Sequence, residues 1–563
     1  MVARKLLFLL HLFVQLAFAR STVRVNWDIG YVFVNRDNTK VRRAIGVNGK
    51  LPIPPIHLAK HDTLILTVKN SLNVHTSIHA HGLFQNGTNY LDGPDQVTQC
   101  GLPSNHTFTY TYKNISQSGT YWLHAHSLHQ NADGARTPLV ISDPEDVKYP
   151  EYVLWFEDWY PVEFAVRMEQ TMDPNQPFPP PVTYPNMLLN GHNPQENRTV
   201  LKFEVGKTYR IRLINMSTTE WFKFNIPGYK LQVIETDGAP TTLTAVDGVD
   251  MGPGQRYSVL VTAQDRLTST FTVALHASFI PLDSLKNPLV YNGTIEHTGG
   301  SVSSNYSKAS EPAPIDTNNL VWTDDIYING RNVNLLPVDR QIKLTLNGSL
   351  FTDHITRDII NNITYTLPKV PTLYSALSLG DLATNTSLYG PQTHSIVLNH
   401  LENIELLVYN PNTIPHPMHL HGHKFQVVEY GPIPPWMMQE AIAASLRFAE
   451  HKLPPKLVHP AVVTNLQPNE RDTVVLPSLE YVKIRFCADS PGVWLFHCHL
   501  DVHHAMGNAL TLIEAPLLLQ KQTVLPKEML EMCRLQGIRA TGNAVGNPGF
   551  DLSGLPPAPT MVP

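Results

Sequence analysis

The stretch His497-Cys498-His499-Leu500-Asp501-Val502-His503 sets one thiol between two imidazoles, with a third imidazole five residues past the Cys. Neighbouring side chains on a β-strand point to opposite faces. On a strand, His497 and His499 would face one way and Cys498 the other, so one short segment would join two metal centres. A thiolate with two imidazoles suits copper in a trigonal site. An electron arriving at the sulfur would cross only a few covalent bonds to reach either flanking imidazole.

Three more His-rich motifs could complete such centres. They are His79-Ala80-His81-Gly82, then His124-Ala125-His126 after Gly119-Thr120-Tyr121-Trp122, then His416-Pro417-Met418-His419-Leu420-His421-Gly422. The pairs 79/81, 124/126, 419/421 and 497/499 offer eight imidazoles, and His416, Cys498 and His503 form a separate set. Zinc is the usual occupant of a His cluster and takes four ligands; eight paired imidazoles and a Cys exceed that. A single His pair is ordinary surface or core decoration, but four pairs beside a Cys are not.

Short alternating segments must position these motifs. Thr63-Leu64-Ile65-Leu66-Thr67-Val68, Thr107 to Tyr112, Tyr209 to Leu213 and Tyr257 to Val261 all alternate with period two between Gly, Pro and Asn turns. This texture predicts an all-β chain of β-sandwiches. A chain of 563 residues suggests three or four domains at roughly 150 residues each. The reading places a signal peptide at 1–19, β units at 20–147, 148–315 and 316–520, and a C-terminal tail at 521–563 that is loose at Leu555-Pro556-Pro557-Ala558-Pro559. A Ser/Gly/Pro-rich linker runs from about Gly299 to Pro314. Helix is expected near Trp436–His451 and around Lys527–Leu535.

Arg4 and Lys5, the apolar run Leu6–Val14 and Ala17-Phe18-Ala19 form the expected signal peptide. Ten N-x-[ST] sequons follow, at Asn86, Asn105, Asn114, Asn197, Asn215, Asn292, Asn305, Asn347, Asn362 and Asn385, as in a secreted or cell-wall glycoprotein. No later stretch reads as a membrane span, and a monomer is expected. The formal charge of −5, without a basic run, argues against nucleic acid as a partner. Four Cys are too few for a disulfide scaffold. If Cys498 binds metal, one bridge and one free thiol remain. Cys487, in the strand pattern Val482–Cys487, is the expected buried free thiol, and Cys100 with Cys533 is the preferred bridge.

These motifs resemble those of the multicopper oxidases, the family of laccases, ascorbate oxidases and fungal ferroxidases. The likeness spans nearly the whole mature chain. Gly82-Leu83-Phe84-Gln85-Asn86-Gly87-Thr88, Thr98-Gln99-Cys100 and Gly542-Asn543-Ala544 resemble the fungal ferroxidase-like branch. The resemblance implies three cupredoxin-like Greek-key domains and four copper ions. His416, Cys498 and His503 would hold a type 1 copper that takes electrons from the donor. His79 and His419 would hold the type 2 copper. His81, His124, His126, His421, His497 and His499 would hold a type 3 pair. Domains one and three would enclose this trinuclear cluster, with domain two as a spacer. O2 would be reduced to water there, with Asp92 and Asp501 relaying protons. Asp92 reads equally as a turn residue before Gly93. His75, His129, His423 and His504 have no role in this scheme.

Two departures bear on function. The resemblance places an acidic residue four before the first type 1 His in iron-specific members, and this chain has Asn412. The domain-two loop Asp173–Pro180 lacks the expected Glu. A neutral amide binds a hard cation more weakly than a carboxylate. The expected activity is therefore laccase-like: one-electron oxidation of a small phenol or polyhydroxynaphthalene, as in fungal pigment formation, coupled to O2. Oxidation of Fe(II) or another metal ion is the alternative. A copper-free binding protein is disfavoured by the complete ligand sets. Ten residues past the Cys, where members carry Leu, Phe or Met, stands Asn508; it is expected to face the type 1 copper without bonding it.

Overall fold

A computed structural model describes residues 21–143, 148–175, 185–194, 199–265, 268–277, 289–299, 320–448 and 457–562. The expected signal peptide, most of the linker after Gly299, and residues 176–180 of the domain-two loop lie outside them.

The alternating segments form strands whose apolar parity faces inward. In Thr63–Asn70, Leu64, Leu66 and Val68 are fully buried while the intervening residues are partly exposed. Burying each such side chain contributes about 1.5–3 kcal/mol, and a register slip of one residue would turn all of them outward.

Among the described residues, the strands build six sheets in three pairs. The first pair has four strands in each sheet, the second six and five, the third seven and five. Every sheet contains one parallel pairing. In the first unit these are Thr22–Val34 with Thr63–Asn70 and Ile56–Ala59 with Arg136–Ser142. In the second, Glu151–Trp159 runs beside Thr208–Asn215 and Val200–Glu204 beside Leu289–Thr298. In the third, Arg340–Leu350 runs beside Asn403–Tyr409 and Ser395–Leu398 beside Ala509–Glu514. Parallel neighbours need long crossovers, which here pass between paired sheets, as in Greek-key sandwiches. The fold is thus all-β and cupredoxin-like, repeated three times. The breaks expected at 147 and at 315 both lie outside the described residues.

The C-terminal segment carries the helix expected around Lys527–Leu535 and is tied down more than a tail suggests. Helices form at Pro516–Gln522 and Lys527–Leu535. Leu519, Met529 and Met532 are buried in the core that Leu64 and Leu66 share. Cys100 and Cys533 form the preferred disulfide. Asn543 holds the following loop, donating to the carbonyls of Gly549 and Asp551 at 3.0 and 2.7 Å. Thr352 N donates to Thr560 O at 2.8 Å, so the end of the chain pairs back onto unit three. Cys487 is free but only half-buried. The expected helix after Trp436 is observed at Pro435–Phe448. Among the described residues, no helix is long and apolar enough to cross a membrane.

Candidate metal centre

Two antiparallel ladders bring the His motifs together. Ile78–His81 pairs with Gly119–Ala125, setting His79 opposite His124. His416–Leu420 pairs with Gly492–Cys498, setting His419 opposite His497 and Met418 opposite Cys498. Only the 79/81 pair lies wholly on a strand. His126, His421 and His499 each follow the last residue of their strand. Turns, not alternation, aim those three rings.

The eight imidazoles nevertheless meet in one buried cluster between units one and three. His79, His81 and His124 offer nitrogens within 4.8 Å of one another, as do His79, His419 and His421, and His126, His421 and His497. His499 Nε2 stands 3.3 Å from His81 Nδ1, and its ring adjoins His124. His416, Cys498 and His503 form the separate set. There the sulfur lies 3.5 Å from His416 Nδ1 and 3.8 Å from His503 Nδ1, and the two nitrogens are 3.1 Å apart. His503 rides on the single helical turn Asp501–Ala505.

Outward hydrogen bonds aim the rings. Nδ1 of His79 meets Asp92 O at 2.7 Å, that of His124 meets Ala125 O at 3.0 Å, and that of His419 meets Asp472 O at 2.8 Å. His421 Nδ1 donates to Asp92 Oδ2 at 2.9 Å, and His497 Nδ1 to Cys498 O at 2.9 Å. A proton on each Nδ1 leaves Nε2 as a bare acceptor facing inward. His79 Nε2, His124 Nε2, His419 Nε2 and His499 Nδ1 are buried without hydrogen-bond partners. Burial, reinforced by neighbouring imidazoles, holds His81, His124, His126, His419, His421 and His497 well below the usual histidine range. Burial also lowers His503 to about 3 and pushes the Cys498 thiol well up. Buried, neutral, convergent imidazoles with unpaired nitrogens fit a metal, and those beside Cys498 fit copper.

Asp92 is not merely a turn residue. It is fully buried and holds two rings, one through its backbone carbonyl and one through its carboxylate. Asp501 hydrogen-bonds none of the cluster rings directly: its Oδ2 accepts from Asn131 Nδ2 at 2.8 Å, its Oδ1 is 3.7 Å from His129 Nδ1, and its charge acts on His499. His423, given no role above, is buried, ion-paired to Glu514 at 2.9 Å, and bonded to His421 O at 3.0 Å. The ring of His504 lies 4.4 Å from that of His497.

Asp472 is a site residue that motif reading missed. Its Oδ1 is 3.1 Å from His81 Nε2, and its carbonyl holds His419. Arg256 of unit two clamps its two oxygens at 2.6 Å each. Unit two is therefore more than a spacer. Its Gly254, at φ +84°, also lets the backbone pass His499, where a Cβ would come within 2.9 Å of the ring. The only hint in the sequence is the charged run Glu470-Arg471-Asp472 leading into a strand.

Models of the multicopper oxidase family match residues 28–146, 150–297 and 365–517. The chain belongs to the multicopper oxidase family. As a multicopper oxidase it is 36% identical to the iron transport multicopper oxidase fetC of Epichloe festucae, over 97% of this chain and 85% of that one. It is 34% identical to the iron multicopper oxidase fer1 of Mycosarcoma maydis, over 96% and 88%. Among solved structures, Fet3p, a multicopper oxidase that functions in iron import, aligns with a TM-score of 0.79 at 30% identity, over 95% of this chain and 98% of that one. A laccase from Botrytis aclada aligns at 0.73 with 24% identity, over 93% and 94%, which speaks to fold. Family membership makes this multicopper oxidase a copper-binding oxidoreductase that uses oxygen.

Proposed function

We propose that this chain oxidises a reduced metal ion, Fe(II) first, at the expense of O2. Likeness along nearly the whole chain to multicopper oxidases named for iron carries the reading. It takes the place of the phenolic donor that the sequence led us to expect. One copper would sit at His416, Cys498 and His503, one at His79 and His419, and two among His81, His124, His126, His421, His497 and His499. Bound copper supplies one-electron acceptance at the first site and O2 reduction to water at the others. The protein's part is to keep the imidazoles neutral and aimed, with Asp92 and Asp501 as the nearby carboxyls for protons. A secreted or cell-wall monomer fits the exposed sequons Asn86, Asn105, Asn114, Asn347, Asn362 and Asn385. Asn215 is fully buried and unsuited to a glycan.

An organic, phenolic donor is the second reading, supported by one contact. The Asn412 amide lies 3.2 Å from His416 Nε2, on the outer edge of the ring. The atom at that distance is the amide nitrogen, Nδ2; with copper on Nδ1, Nε2 would carry the proton, and the amide would turn its oxygen over to accept it. A neutral amide there does little to attract a cation, and Arg167 adds positive charge near His503. Oxygen-uptake kinetics with Fe(II) and with dihydroxynaphthalene separate the readings. A higher kcat/KM for Fe(II) supports the first; a clear preference for the naphthalene overturns it. Asn412→Asp should raise kcat/KM for Fe(II) by about tenfold, or ~1.4 kcal/mol.

A further inference from the structure

One imidazole outside the metal sets clamps unit two to unit three. His459 is buried, 3% exposed. Its Nδ1 lies 2.7 Å from Glu480 Oε2 and its Nε2 3.0 Å from Asp324 Oδ2. A neutral imidazole donates from one nitrogen only, so two carboxylates at these distances call for the charged ring, donating to both. The backbone N–H groups of Val458 and His459 donate to the other Glu480 oxygen. Asp324 stands on the segment that pairs with unit two, where Val321 N donates to Asp247 Oδ2 at 2.9 Å and Thr323 Oγ1 to Asp250 O at 3.1 Å. The Tyr430 ring stacks on the imidazole at 4.6 Å, and its hydroxyl donates to Val475 O. Among the described residues, Asp324, Glu480 and Tyr430 are the titratable groups facing His459. Asp325 behind them is taken up by Arg471 and Tyr257.

Glu480 also seats the loop that meets the Cys498 set. Its carbonyl accepts from Asn410 N at 2.9 Å, and Leu479 N donates to Asn412 O at 3.2 Å. Asn410 Nδ2 donates to Pro477 O and Ile414 O at 2.9 and 2.8 Å, and its Oδ1 accepts from Asn412 N at 3.0 Å. The loop 410–414 is thus tied within itself and rests on residues 477–480. Leu479 sits at φ +59°, a left-handed backbone that a leucine holds only where its surroundings enforce it. At the far side of this loop, Asn412 Nδ2 stands 3.2 Å from His416 Nε2.

We propose that the charged His459 is a positioning residue for electron entry: it fixes Glu480, and through the Leu479–Glu480 backbone it holds Asn412 at the outer edge of His416. This rests on reading His416, Cys498 and His503 as the type 1 copper site. The clamp also sets a pH limit. Burial opposes the charge, but the hydrogen bonds and charges of Asp324 and Glu480 outweigh it and push the imidazole up to about 9. A histidine raised in this way contributes its stability in full below its ordinary value of 6.5 and loses it as pH rises through about 9. Above that pH one of the two carboxylates loses its donor, and the loop is no longer held.

The test uses the full chain, copper-free and copper-loaded, with the variants His459→Gln and Asp324→Asn. Denaturant midpoints of the copper-free protein and redox titrations of the thiolate–copper band are followed from about pH 6 to about pH 10. In the parent, the denaturant midpoint should fall between pH 6.5 and about 9, and the potential should shift with a midpoint near pH 9. His459→Gln should lessen the fall and abolish the shift. At the low end of the pH range it should already show the parent's high-pH potential, with KM for Fe(II) raised severalfold and kcat changed less. Asp324→Asn leaves Glu480 in place and should move the transition to lower pH. A lower denaturant midpoint in His459→Gln with the parent's potential, transition and KM would make the clamp purely structural and overturn the proposal. A parent potential that does not move near pH 9 overturns it too. If His459→Gln does not fold, a transition in Asp324→Asn at the parent's pH is overturning by itself. A parent with no thiolate–copper band overturns the type 1 reading, and the proposal with it, in a way that no variant's potential can mimic.

Discussion

At the scale of single residues, the site depends on groups that never touch the reactants. Asp92 fixes His79 through its carbonyl and His421 through its carboxylate. These rings come from opposite ends of the chain, so one carboxylate ties the two halves of the cluster. Removing such an outer partner costs about 10–100-fold in metal affinity or activity. Asp92→Ala should therefore lose copper from the eight-imidazole cluster, and O2 uptake with it. The thiolate band of the Cys498 set should persist. Copper counts per chain alongside the visible spectrum check this.

At the scale of elements, the strand Ile78–His81 has no slack. All four residues are buried, and Gly93, at φ +107°, packs its α-carbon against the carbonyl of Ile78. A β-carbon there would collide with that backbone, which has no flexible end to yield. Gly93→Ala combines this clash with an unfavourable backbone region, worth about 1–3 kcal/mol. The expected result is displacement of His79 and His81: a chain that folds with a lower unfolding midpoint and keeps its thiolate band, but holds less copper in the cluster. Thermal unfolding and metal analysis together would show it. The opposite ladder is buffered differently, because the turn after Cys498 leads directly into the helical turn Asp501–Ala505 that carries His503.

At the scale of the whole molecule, unit two supplies a buried charge lock. Arg256 holds Asp472, Arg471 pairs with Asp237 at 2.9 Å, and all four side chains are sealed from solvent. Burial raises the Asp472 carboxyl and opposes its ionisation, while Arg256 favours the charged form. Breaking one side of a buried pair leaves the other charge uncompensated, at about 3–5 kcal/mol. Arg256→Met should lower the denaturant midpoint of the copper-free protein accordingly. It should also weaken copper binding where Asp472 meets His81 and His419. A midpoint equal to the parent's would show that the lock is not structural.

Spacing and period were legible without coordinates. The H-x-H pairs, the Cys between two His, the period-two strands and the Cys100–Cys533 bridge all follow from local pattern or simple elimination, because alternation on a strand is a local property. Faces were less secure: His126, His421 and His499 lie past their strand ends, so the cluster converges by turn geometry that alternation does not encode. The tail reads as loose because its Pro-rich end hides a few anchors, Met529, Met532 and Asn543, whose partners are far away in sequence. By itself, then, the sequence determined the all-β class, the family and the eleven His and Cys residues that the fold gathers into two clusters. Only the tertiary structure decided what aims and tunes them. Asp472 reaches His81 across 391 residues, and Arg256 reaches Asp472 across 216. Asp358 meets His503 from a separate strand. The physical reason is that hydrogen bonds and ion pairs act over a few ångströms of space, and nothing in local periodicity records which distant carboxylate the fold will bring there.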